Sequence, residues 1–159
     1  MDIFSALYRL HLIPFLKRWK LLSIILGALD ITAIFLAFEC AYLIVYSGAG
    51  KGYFFFLDSR LLELFAGITP LWLIAMYMLK ATEIPRTKHY TAIFWEYFLS
   101  AGAIFMVLLM IYFLFKLYTI SRTFIILIPV LGFILLFTLR VMEYKVFKRF
   151  RSKGFNYLN

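Results

Sequence analysis

The chain has 159 residues, of which 65% are hydrophobic and 21% aromatic, with mean hydropathy +0.92 and a formal net charge of +9. Soluble domains are about 45–50% apolar, and disordered chains are low in hydrophobicity, so both classes are excluded. The class that remains is a polytopic membrane protein, in which the charge is read by its distribution over the loops rather than as a sign of nucleic acid.

The first element, residues 3–19, mixes Ile3, Phe4, Leu7, Leu10, Phe15, Leu16 and Trp19 with Arg9, Lys17 and Arg18. It reads either as an amphipathic segment on the inner leaflet, broken by Pro14, or as a basic leader, and residues 1–20 are assigned to it. It does not read as a cleavable signal: the apolar stretch that follows is too long, carries two acids and lacks a small-residue cleavage site.

A helix that crosses a bilayer needs about 20 mostly apolar residues. Four stretches qualify: Leu21 to Tyr46, Leu61 to Leu79, Ala92 to Phe115, and Thr123 to Leu139 or a little beyond, to about 142. Pro70 and Pro129 fall inside the second and fourth, where membrane bundles tolerate a kink. The connections are short: an aromatic-rich loop at 47–60, a polar turn at 80–90 and a turn at 116–122. Short connections force neighbours antiparallel, so the expected fold is all-α, an up-down bundle of four transmembrane helices over 21–142, with a basic tail at 143–159.

Lys and Arg give the orientation. Arg9, Lys17, Arg18, Lys20, Lys80, Arg86, Lys88, Arg140, Lys145, Lys148, Arg149, Arg151 and Lys153 put thirteen on one side. Lys51, Arg60, Lys116 and Arg122 put four on the other. The positive-inside rule then places both termini in the cytoplasm. The tail interleaves Val141, Tyr144, Val146, Phe147 and Phe150 with its cations, as expected of a helix leaving the membrane along anionic headgroups. Arg122, Arg140, Lys148, Arg149 and Arg151 are its lipid or interface candidates, with Arg122 at the far end of the fourth helix.

Three acids stand out in the spans, Asp30, Glu39 and Glu96, with Glu63 near the outer face. Asp30 lies about nine residues into the first helix, roughly 13 Å deep, and an intramembrane carboxyl is a functional candidate by default. No cation of the other spans is expected at that depth. Asp30 is therefore read as protonated, or bonded to a hydroxyl such as Ser100 or to a backbone carbonyl. Glu39 is half a turn out of phase with Asp30, so the two do not form a paired-carboxylate site. Interfacial partners are expected for both glutamates: Lys51, Arg60 or Lys116 for Glu39, and Lys80 or Arg140 for Glu96.

The loop SGAGKG at 47–52 fails as a phosphate loop, since Val45 stands where its first Gly belongs and Gly52 where Ser or Thr belongs. ITAIF at 31–35 and YTAIF at 90–94 share four letters, which this biased composition produces by chance. Cys40 is the single cysteine, so no intrachain disulfide forms, and the two histidines, His11 and His89, lie far apart. No metal site, cofactor motif or nucleophile–base arrangement is present, and no nucleic acid partner is expected.

The run Ser121–Asn159 is more specific. It resembles the end of the N-terminal membrane domain of bacterial polyprenyl-phosphate (undecaprenyl-phosphate) hexose-1-phosphate transferases. Those enzymes start exopolysaccharide and O-antigen synthesis by moving a hexose 1-phosphate from a nucleotide sugar to undecaprenyl phosphate. In that family a Ser-Arg pair opens the fourth helix, matched by Ser121 and Arg122, and an Arg closes it, matched by Arg140. A basic helix then runs into an R-x-x-G-x-N segment, matched by Arg151, Gly154 and Asn156. Asp30 in the first helix, and Trp72 and Tyr77 in the second, are also similar to the family.

The resemblance implies an anchor in the bacterial inner membrane. Its implied partners are the bilayer, polyprenyl phosphate, and a further copy or a separate catalytic subunit. Full-length members continue into a Rossmann-like domain and a catalytic domain with an adjacent Asp-Glu pair, which this sequence lacks. No catalytic residue is carried over, and the chain by itself is not expected to transfer sugar phosphate. A second expectation, from another class, is a small four-helix transporter or lipid-linked-sugar flippase component that uses Asp30.

Overall fold

The computed structural model describes residues 3–46, 54–82 and 89–152, and the side chains of 24–46, 54–82, 89–146 and 148. Among them lie four helices, α1 (Ile3–Tyr46), α2 (Ser59–Met78), α3 (Tyr90–Leu114) and α4 (Arg122–Ser152), one 3-10 turn (Phe55–Leu57) and no strand. Each helix contains a stretch long and apolar enough to cross a membrane: Ile24–Tyr46, Ser59–Met78, Tyr90–Leu114 and Arg122–Val146. At 1.5 Å per residue even the shortest matches a hydrocarbon core of about 30 Å.

Local chemistry sets the helix ends. Asp58 caps α2: its carboxylate accepts the backbone N–H of Arg60 at 3.1 Å, and its carbonyl that of Leu62 at 3.0 Å. The other ends of α2 and α3 close in the same way. Lys80 (φ 56°) and Lys116 (φ 49°) adopt the left-handed conformation just past each helix. The next N–H folds back: Ala81 donates to the Met76 carbonyl at 2.9 Å, and Leu117 to that of Tyr112 at 3.1 Å. This is the Schellman geometry, built on lysine where glycine is usual. The fold back carries Ala81 inward, where it is buried.

Prolines do not interrupt the helices. Pro70 and Pro129 lie inside α2 and α4, and α1 runs unbroken through Pro14, where the sequence predicted a break. A proline removes one backbone hydrogen bond and leaves the rest of the ladder, so long helices absorb it.

Cross-contacts establish the up-down arrangement. At one end Asp30 near the start of the α1 span, Tyr97 near the start of α3, Ala81 just past α2 and Arg140 near the end of the α4 span share one hydrogen-bonded group. At the other end the backbone N–H of Ser121 donates to the Tyr46 hydroxyl at 3.0 Å, and Arg60 to Thr119 at 3.1 Å. Neighbouring helices are therefore antiparallel. The first end is the one that carries most of the Lys and Arg, and we call it the basic end.

α4 packs against α1 and α3, and α2 mainly against α3. The buried centre includes Ile34, Phe38, Ile68, Trp72, Ile104, Leu108, Ile128 and Leu136. Trp72 crosses the bundle diagonally from α2 and seats its indole against Gly132 of α4, where a Cβ would overlap the ring. Near the opposite end Phe55 of the 3-10 turn is fully buried against Phe35, Phe38 and Phe65, with ring centroids 5.2, 5.7 and 5.4 Å away. The outside is apolar, as a lipid-facing surface must be: Ile24, Ile44, Ile74, Met106 and Met110 all stand exposed.

Candidate functional site

The polar group inside the bundle is built around Arg140. Its residue is 1% exposed, as is Asp30. The guanidinium has three nitrogens, and each is used. Nη2 donates to Asp30 Oδ2 at 3.1 Å and more weakly to Oδ1 at 3.4 Å. Nη1 donates to Glu143 Oε2 at 2.8 Å. Nε donates to the Tyr97 hydroxyl at 2.6 Å, and that hydroxyl in turn donates to the Ala81 carbonyl at 3.1 Å. One side chain of α4 thus ties together α1, α3 and the turn after α2. A planar fork of donors makes arginine suited to this role.

This geometry corrects two expectations. Asp30 is paired with a cation, and its partner is not Ser100, whose hydroxyl donates to the Tyr97 carbonyl in its own helix at 2.8 Å. Arg140 is not a headgroup ligand: it lies inside the bundle. The reason is depth. α4 runs antiparallel to α1 and packs along it, which brings Arg140 to the level of Asp30, where the two side chains meet at 3.1 Å. An isolated arginine would end an apolar span, whereas a paired one lets it continue.

Glu143 completes the group and was not visible in the sequence reading. It stands three residues after Arg140, a spacing at which helical side chains meet. Its side chain is 10% exposed, and its second oxygen, Oε1, is buried with no hydrogen-bond partner. Tyr97 was also missed. It immediately follows Glu96, the residue the sequence drew attention to, and is the one that turns inward, while Glu96 is half-buried.

The remaining candidates lie apart from this group. Glu39 is near the opposite end, so the two α1 acids stay separate as their spacing required. Its Oε2 accepts the Phe55 backbone N–H at 3.4 Å, and its Oε1 is buried without a partner. The expected cation does not arrive among the described residues, because Arg60 is turned to Thr119 and Lys116 is exposed; Lys51 lies outside the described residues. Arg122 and Lys148 are exposed, and the side chains of Arg149 and Arg151 lie outside the described residues. The 47–52 loop and residues 153–159, with Gly154 and Asn156, also lie outside them. No group of three His, Cys, Asp or Glu among the described residues could hold a metal ion.

No protein-family model, no curated protein and no solved structure matches this chain. Chemically, every nitrogen of the Arg140 guanidinium is held by an internal partner: the group can hold helices together, and it presents no nucleophile beside a base. Tyr97→Phe tests the role of the hydroxyl. It leaves a guanidinium N–H and the Ala81 carbonyl without their partner, and the expected loss is about 1–2 kcal/mol in detergent unfolding, toward the upper end for membrane hydrogen bonds. An unchanged midpoint would mean that the hydroxyl is not part of the lock.

Proposed function

We propose that the chain is the membrane-anchoring domain of a polyprenyl-phosphate sugar phosphotransferase of exopolysaccharide or O-antigen biosynthesis. The basic end then faces the cytoplasm of a bacterial inner membrane, and the domain is not catalytic by itself. The motif resemblance over Ser121–Asn156 is the origin of this reading. The observation that carries it is the use made of two residues the resemblance marks. Asp30 and Arg140 stand 3.1 Å apart, both buried, and are spent on each other. An anchor needs a fixed bundle, and this ion pair fixes one. A transporter that couples through Asp30 needs that carboxyl free to change partners, which its ion pair with a buried guanidinium opposes.

Asp30→Asn separates the two readings. For an anchor, the substitution lowers the amount of folded protein in the membrane, with a stability loss of about 1–3 kcal/mol, since Arg140 keeps Glu143 and Tyr97. Normal accumulation with a pH-dependent transport activity that disappears in the variant would favour the transporter instead. A direct test of the parent enzyme is the mass of the native polypeptide, detected with an antibody to the 80–90 loop. A band well above the 18.8 kDa of this chain is expected, with sugar-phosphate transfer in the same polypeptide. A band at that mass would count against a single-polypeptide transferase and leave only an anchor for a separate catalytic subunit.

A further inference from the structure

We propose that the basic end of the bundle docks on anionic phospholipid headgroups through the part of α4 that projects beyond its membrane span. This does not depend on the family assigned above. α4 has 31 residues, roughly 46 Å of helix against a hydrocarbon core of about 30 Å, so its last turns, to Ser152, reach headgroup level. From Tyr144 onward the chain has five cations, Lys145, Lys148, Arg149, Arg151 and Lys153, and no acid. The nearest acids upstream are not available to neutralise them: Glu143 and Asp30 are turned inward on Arg140. Lys145 and Lys148 are exposed.

The ring of Tyr144 packs edge-on against Tyr90 at the start of α3, with centroids 5.1 Å apart. Paired tyrosines at the end of a span belong at the membrane–water interface, and they fix how the extension leaves the bundle. The opposite end has no such excess. There the four cations Lys51, Arg60, Lys116 and Arg122 face three acids, Glu39, Asp58 and Glu63, which leaves a single net positive charge. Charge complementarity therefore selects an anionic headgroup layer at one end alone. Each basic residue at such a surface is worth about a fivefold preference, screened by salt.

The test uses the full chain reconstituted in phosphatidylcholine vesicles, with trace spin-labelled phosphatidylglycerol or phosphatidylcholine. The measured quantity is the motionally restricted fraction at the protein surface. Phosphatidylglycerol is expected to be preferred by at least about fivefold at low salt and much less in 0.5 M NaCl. Combined Lys145→Gln, Lys148→Gln, Arg149→Gln and Arg151→Gln should remove most of that preference, whereas Lys116→Gln with Arg122→Gln should leave it. Phosphatidylserine should behave as phosphatidylglycerol does, because charge is what is recognised. Equal restriction of the two labels by the unmodified chain overturns the proposal, and so does a preference that ignores salt or survives the fourfold substitution. The salt arm needs no variant, so the test stands even where a variant fails to fold.

Discussion

Replacement of Arg140 by methionine is expected to be the most damaging single change in the protein. It leaves Asp30 and Glu143 as buried carboxyls with no cation, and it strips the Tyr97 hydroxyl of its donor. Removing one partner of a buried ion pair costs about 3–5 kcal/mol, against total stabilities of about 5–15 kcal/mol. Most of the protein should therefore fail to accumulate in the membrane. What survives in detergent should unfold at a far lower denaturant concentration than the parent. The order matters as much as the size. Arg140→Met should exceed Asp30→Asn, which leaves two of the three contacts of Arg140 in place, and Tyr97→Phe should be the mildest. A reversed order, with Asp30→Asn the worst, would mean that Arg140 is not the hub.

The second large effect is expected at Gly132. Gly132→Ala puts a methyl group where the Trp72 ring lies, at atoms Cη2, Cζ2 and Cζ3. The neighbour is a rigid, fully buried indole, so the two helices must part, at a cost near the top of the usual overpacking range, about 3 kcal/mol. Phenylalanine lacks the outer half of the indole that meets Gly132. Trp72→Phe alone opens a cavity, but combined with Gly132→Ala it should recover part of the loss. Thermal unfolding in detergent of the two single variants and the double gives the coupling. If the double variant is destabilised by the full sum of the singles, Trp72 does not seat on Gly132.

These two sites differ in what the sequence disclosed. Hydropathy and length were enough to find four spans, because a bilayer demands apolar helices of a fixed length and short turns between them leave one economical arrangement. Asp30 also stood out, as any carboxyl does in an apolar helix. Its partner did not. Arg140 sits among the tail cations in the sequence, and only its burial and its contact with Asp30 show that it belongs to the interior of the bundle. Glu143 was hidden for the same reason, as one acid in a basic segment.

Tyr97 was hidden by its surroundings, since FWEYF at 94–98 gives no hint of which aromatic ring turns inward. The seat of Trp72 on Gly132 was beyond reach, because diagonal contacts depend on which faces of α2 and α4 oppose each other. The Schellman turns built on Lys80 and Lys116 carried no glycine to announce them. Nor did Pro14 act as a break, because the cost of one missing hydrogen bond does not stop a long helix.

Asp30 and Arg140 form a bond inside the bundle that locks α1 to α4. The most direct measurement is a double-mutant cycle of Asp30→Asn and Arg140→Met, read by reversible unfolding in mixed detergent micelles. If the pair is formed, the double variant should lose less stability than the two singles together, by about 1–3 kcal/mol. Additivity within about 0.5 kcal/mol would mean that the two side chains do not meet, and the lock would have to be abandoned.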